Sequence, residues 1–170
     1  MTHVVVISGT VGSGKTTIAT RLHDTLVQRG YASAVIDVDF LSEAEPRKPE
    51  DPYNSDLGIR NLASVWPNYR EFGVEYMVLA RVVEEADERA KYDAAFGVPV
   101  KIVRLEVPSA VRIARLHKRE SEPQWLEWHL NRTDELAAIM RERELEDFVV
   151  VNDERSPDDT VAEIISLLDW

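Results

Sequence analysis

Hydrophobic positions along the chain alternate between unbroken runs and helical spacing. Residues 4–7 read Val-Val-Val-Ile and stop at Ser8-Gly9, the pattern of a strand buried on both faces of a parallel sheet. Residues 17–29 then carry Ile18, Leu22 and Leu26 at helical spacing, and Gly30 supplies a stop. Residues 34–38 predict a second strand running into acids. Residues 42–56, with three prolines and many charges, predict a surface loop. A helix over 56–69 would carry Leu57, Leu62 and Val65, with Pro67 disturbing its end. Residues 74–80 predict a third strand, 82–96 a charged helix closed by Gly97, and 100–107 a fourth strand.

Pro108-Ser109 opens a helix with a basic exposed side. Residues 123–143 predict a further helix broken near Thr133, and 148–151 a fifth strand. Ser156-Pro157-Asp158-Asp159 combines a cap, a proline at the first helical position and acids in the first turn. The helix it starts turns Val161, Ile164, Ile165 and Leu168 to the core. Strands alternating with helices predict an α/β fold, a parallel sheet with helices on both faces. Ligands of such sheets bind at the carboxyl ends of the strands.

A chain of 170 residues suits one domain, residues 1–170, with a sizeable core. Its net charge of −11 argues against a nucleic-acid partner, which a basic stripe would serve. No cysteine is present, so disulfides and thiolate metal sites are excluded. No apolar run approaches a membrane span, and no signal-like segment opens the chain; a cytoplasmic protein with no membrane partner is expected.

The strongest chemical signal is Gly9-Thr10-Val11-Gly12-Ser13-Gly14-Lys15-Thr16, followed by Thr17. Its glycines let backbone N–H groups curl around phosphate oxygens. Lys15 is placed for the β- and γ-phosphates and the Thr16 hydroxyl for Mg²⁺. The motif follows a buried strand and opens a helix, the setting in which it binds ATP or GTP.

Asp37 and Asp39 end the second strand. If the strand reaches that far, both carboxylates point the same way, beside the phosphate loop. Such a pair suits a hydroxyl that must lose a proton (Asp39) and a Mg²⁺ water shell (Asp37). No other strand ends in an obvious acid; the third ends in Ala80-Arg81. Arg112, Arg115 and Arg119 share a helix face, with Lys118 alongside.

The loop, the Asp37-Val38-Asp39 pair, these arginines, and Val149-Val150-Val151-Asn152 followed by Ser156-Pro157 together resemble the P-loop small-molecule kinases. That group includes adenylylsulfate, gluconate and shikimate kinases. The resemblance covers nearly the whole chain and implies a three-layer α/β/α P-loop NTPase fold. Five parallel strands would place the phosphate-loop strand centrally, with a helical lid over about residues 112–132. It implies transfer of the γ-phosphoryl group of ATP, with Mg²⁺, to a hydroxyl of a small molecule such as a nucleoside, a sugar-like compound or an adenylylsulfate-like one. Arg115 and Arg119 would then close over the nucleotide, joining Lys15, Asp37 and Asp39 as catalytic groups. Residues 54–70 would cover the acceptor, with Arg60, Asn61, Arg81 and Arg132 as contacts and Trp66 either stacking or in the core. Residues 152–157 would border the base. Trp125, Trp128 and His129 are assigned to packing.

The sequence also departs from these kinases. Val38, Phe40 and Ser42 stand where an adenylylsulfate kinase has glycine, asparagine and arginine. Ser42-Glu43 stands where a gluconate kinase has His-Pro. The acceptor, the ATP-versus-GTP preference and the assignment of roles within the acidic pair therefore stay open, and a homodimer is compatible with the reading. Two other readings remain: a nucleotide-binding regulatory ATPase without a small-molecule acceptor, and a nucleic-acid end kinase.

Overall fold

In the computed structural model, which describes residues 1–170, the phosphate-loop strand β1 (His3–Gly9) is central. It pairs in parallel with β3 (Tyr76–Ala80) on one side and β4 (Lys101–Glu106) on the other. β2 (Ser33–Asp37) and β5 (Phe148–Val151) complete an all-parallel five-stranded sheet, in the order β2-β3-β1-β4-β5. Alternation along β1 sorts the core into two layers. Val4 and Val6 join Ile59, Leu62, Trp66, Tyr92 and Phe96 on one face. Val5 and Ile7 join Ile18, Leu22, Leu26, Val161 and Ile164 on the other. Thus α3 (Ser55–Phe72) and α4 (Glu88–Phe96) cover one face, and α1 (Lys15–Gln28) and α7 (Pro157–Leu168) the other. Strand residues buried on both faces read as continuous apolar runs for this reason. Ser156 caps α7, its hydroxyl accepting from Asp159 N.

Four expectations about elements need correction. The second strand stops at Asp37, whose Oδ1 accepts from Asp39 N and starts a one-turn helix, α2 (Val38–Ser42). Asp37 and Asp39 therefore do not lie on a common strand face. Pro67 does not end α3, which runs on to Phe72 and stops at Gly73 in the left-handed region. The segment 82–87 is a loop instead of helix. Val83 N donates to Ser8 Oγ, and the Glu88 carboxylate accepts from Glu84 N and Glu85 N at 3.1 and 3.0 Å. A side chain thus satisfies amides that a helix would have used. Burial raises the Glu88 carboxyl above its ordinary value. Finally, α6 (Pro123–Arg143) is unbroken at Thr133, and is joined to α5 (Ser109–Arg119) by Arg112, which donates to Val107 O and to Asp134.

The contact between α2 and α3 fixes where Asp39 stands. Gly58 lies against it: a Cβ there would collide with Ser42 Oγ and lie 3.2 Å from Val38 Cγ1. Gly58→Ala gains helix propensity but overpacks this contact. We expect a net destabilisation of about 1 kcal/mol or more by denaturant unfolding. Adding Ser42→Ala should recover most of it; a single variant as stable as wild type would show the contact to be slack.

Candidate active site

Every element that bears on the site meets at the carboxyl edge of the sheet. After β1 the backbone turns through Gly12 and Gly14, both at positive φ (79° and 90°), where a side chain would be strained. No side chain caps the N-terminus of α1, and its first turn holds no acid. Its leading amides and positive dipole end are thus left to an anion. Lys15 is half-buried in the loop, where Nζ donates to Thr10 O at 3.0 Å. Burial lowers its amine to about 8, against the upward pull of Asp39 and Asp37. A half-buried cation beside an uncapped helix N-terminus fits the phosphates of a nucleotide, which would restore the charge that desolvation disfavours.

Three side chains brace the loop from outside. Asn152, just past β5, donates from Nδ2 to Ser13 O at 2.7 Å, and Thr160 Oγ1 in turn donates to Asn152 Oδ1. Thr133 on α6 donates to Val11 O at 2.8 Å. Arg115 on α5 spends its terminal nitrogens on Ser13 O and Asp153 O. Asn152 was read only as part of the segment bordering the base and Thr133 only as a break in a helix; their bracing of the loop was not legible. Only a polar side chain at a strand end, and one interrupting an apolar helix face, hinted at them.

The acids diverge. Thr16 Oγ1 donates to Asp37 Oδ2 at 2.7 Å, so Asp37 stands directly behind the phosphate loop. Asp39, two residues on, points instead to Arg81, with 2.5 Å between Oδ1 and a terminal nitrogen. The strand register explains the meeting: Asp37 is level with Ala80, so the two residues lie just past the ends of neighbouring strands. Arg81 is buried and also donates to Tyr53 O and Ser55 Oγ. It occupies the strand end where many nucleotide hydrolases carry an acid.

These groups open onto a cleft of about 1030 Å³ that extends from Lys15, Thr16 and Thr17, past Asp39 and Arg81, to α6. Arg115, Arg119 and Arg132 line it as well. The Arg119 side chain is 53% exposed and donates from Nε to Glu120 at 2.6 Å. The same carboxylate lies 3.2 Å from His129 Nδ1. Burial lowers the His129 imidazole below its ordinary value, against the pull of Glu120. Arg132 is buried between Glu84 and Glu135, with its guanidinium 4.3 Å above the Tyr53 ring.

Two residues expected at the site, Arg60 and Asn61, are placed elsewhere, and Trp66 takes the core alternative. Arg60 is exposed on the outer side of α3, opposite the stripe Ile59, Leu62 and Trp66. Asn61 donates to Leu41 O at 2.7 Å and holds α2 to α3. Trp66 is buried against Phe96. The converse correction concerns Trp125, Trp128 and His129: they face the cleft instead of filling a core, and Tyr53 and Glu84 stand with them.

The family described as the CobQ/CobB/MinD/ParA nucleotide binding domain matches residues 4–157. A shikimate kinase of Corynebacterium diphtheriae is 30% identical over 174 residues, covering 98% of this chain and 94% of that protein. Among solved structures, a shikimate kinase of Bacteroides thetaiotaomicron superposes with a TM-score of 0.69 at 17% identity, covering 99% of each chain. A gluconokinase of Sinorhizobium meliloti 1021 does so with a TM-score of 0.67 at 19% identity, covering 98% of this chain and 91% of that one. The chain matches this family of nucleotide binding domains over most of its length, and it is a P-loop kinase of the small-molecule group. No helix is long and apolar enough to cross a membrane.

Proposed function

We propose that the protein transfers the γ-phosphoryl group of ATP to a hydroxyl of a small metabolite. The observation that carries this reading is the division of labour between the acids: Asp37 is bonded to Thr16 of the loop, while Asp39 stands in the cleft. Bound ATP would supply the phosphoryl group, and Mg²⁺ would neutralise charge between the β- and γ-phosphates. No cluster of three or more acidic or imidazole groups could hold a metal alone. Mg²⁺ would instead rest on Thr16 and, through its waters, Asp37, with phosphate oxygens completing its shell.

Asp39 orients the acceptor hydroxyl and takes its proton, its carboxylate fixed by Arg81. Lys15 holds positive charge at the phosphates. Arg119, on a lid formed by about residues 112–132, brings a second charge towards them when it leaves Glu120. Arg115 acts beneath them, steadying the loop. A regulatory ATPase would have no use for a walled cleft beyond Asp39. The test is ADP release measured against a panel of nucleosides, sugars, sugar acids, shikimate, adenylylsulfate and hydroxylated antibiotics. A burst of turnover with one compound and its phosphorylated product by mass spectrometry are expected; an ADP rate that no acceptor changes would defeat the kinase assignment of the cleft.

Arg119 gives a finer prediction. Its group is half exposed and shared with Glu120, so Arg119→Ala should lower kcat by about tenfold, below the usual value of a buried oxyanion donor. The dissociation constant for ATP should change by less than about threefold, because the contact strengthens only as charge moves. Stopped-flow binding beside steady-state kinetics separates the two; an equal loss in both would make Arg119 a ground-state contact.

A further inference from the structure

We propose that the acceptor is an uncharged or cationic alcohol with an apolar ring face, and that a carboxylate or phosphate on the acceptor is selected against. This rests on the kinase reading above and concerns the half of the cleft beyond Asp39.

The first observation is that no guanidinium on that side is free. Arg81, with a side chain 7% exposed, faces Asp39, Tyr53 O and Ser55 Oγ. Arg132, 8% exposed, has one terminal nitrogen on Glu84, the other on Glu135, and its flat face over Tyr53. Arg47 is held by Glu43 and Glu45. An acceptor anion would have to compete for Arg132 with both Glu84 and the more exposed Glu135, and displacing Glu84 would leave a largely buried carboxylate uncompensated. Reaching Arg81 would release the carboxylate that must orient the hydroxyl.

The second observation is the charge of the walls. The four carboxylates lining this half, Asp39, Glu43, Glu45 and Glu84, outnumber its three arginines. The other cations of the cleft, Lys15, Arg115 and Arg119, gather at the phosphate end. The cleft is thus divided: positive where the nucleotide lies, slightly negative where the acceptor lies. Like charges brought together here would be held apart by a partly buried wall.

The third observation is aromatic. Trp125 and Trp128 are 53% and 43% exposed, yet they line the cleft beside Tyr53. One stretch of α6 brings both indoles, with His129, to the wall of the cleft that Asp39 also lines. Indoles facing a cleft give a ring-shaped ligand a large apolar surface at small entropic cost, and their faces also favour a cation.

The experiment compares matched pairs that differ only in an anionic group: shikimate with its methyl ester, gluconate with gluconamide, and AMP with adenosine. Each is titrated by indole fluorescence into the chain saturated with a non-hydrolysable Mg-ATP analogue, whose binding is confirmed by thermal shift. In the pair that binds, the uncharged member should quench at about tenfold lower concentration than the anion. Trp125→Phe with Trp128→Phe should abolish that quenching and keep the nucleotide shift. Glu84→Gln, which frees Arg132, should narrow the gap at least about threefold. An anion that binds as well as its uncharged partner, silence of every uncharged compound with the nucleotide shift intact, or a gap unmoved by Glu84→Gln would each overturn the proposal. Loss of the nucleotide shift itself would strike instead at the phosphate loop.

Discussion

Mg-ATP at a hundred times its dissociation constant should raise the melting temperature of this chain by about 5–10 °C, and Lys15→Ala should remove most of that rise. The scale follows from about 2.7 kcal/mol of linkage, at about 2–4 °C per kcal/mol for a chain of this size. Lys15 is the only cation of the loop, and desolvation already lowers its amine to about 8. Below that pH the folded protein holds a desolvated charge that the unfolded chain keeps in water. The cost is fully present at pH 7, fades as the pH rises from about 8 towards the ordinary value of 10.5 and the folded amine loses its proton first, and is gone above that value. Removing the amine should therefore cost the nucleotide-free protein little, and its own melting temperature should stay at or above that of wild type. Differential scanning calorimetry of both proteins, with and without nucleotide, reads both effects. No rise in wild type with either Mg-ATP or Mg-GTP would show that the loop is not a working site.

The residues that were legible in the sequence are those whose neighbours along the chain determine them. The apolar runs of β1, β3 and β4, the loop glycines and the Ser156 cap report local geometry, and each stands where its pattern placed it. What was not legible depends on partners distant in sequence. Glu88 sits in a stretch of good helix formers, but its carboxylate folds back onto the amides of Glu84 and Glu85 and keeps them out of the helix. Asp37 ended its strand a residue early by capping Asp39. Arg60 shares a helix with the acceptor-side loop yet faces away, and the phase of Ile59 and Leu62 contained that information.

Trp125 and Trp128 show a different limit. Apolar residues at helical spacing mark a face turned inward, but the spacing is the same whether that face meets a core or a cleft. Arg132 was expected as an acceptor contact, and its pairing with Glu84 was hidden because Glu84 lies 48 residues before it. The sequence therefore located the phosphate loop, which is one contiguous motif, and was weakest on the rest of the cleft, which is assembled from four separate segments.

Asp39 carries the most demanding expectation. Asp39→Asn keeps an oxygen for Arg81 to bond, so the floor of the cleft should hold its shape, with Tyr53 O and Ser55 Oγ retaining the rest of the guanidinium. What the variant loses is the proton acceptor. The Asp39 side chain is 61% exposed, so its second oxygen has room to meet a hydroxyl in the cleft. Phosphoryl transfer to the acceptor should fall by about 10² or more, the usual scale for a lost general base. ATP should bind as well as before or slightly better, because a negative charge near the phosphates has gone. Asp37→Asn should fail in another way. Its carboxylate receives Thr16 Oγ1 and Asp39 N on separate oxygens, and the amide can accept only one of them. The disturbed group is then the Thr16 hydroxyl, whose proposed partner is Mg²⁺, so raising Mg²⁺ should recover part of the activity. A magnesium titration of both variants, with transfer and ATP binding measured side by side, distinguishes these outcomes. If Asp39→Asn transfers phosphate at the wild-type rate, Asp39 is only the anchor of Arg81, and the base must be sought among the other groups lining the cleft, beginning with Glu84 and His129.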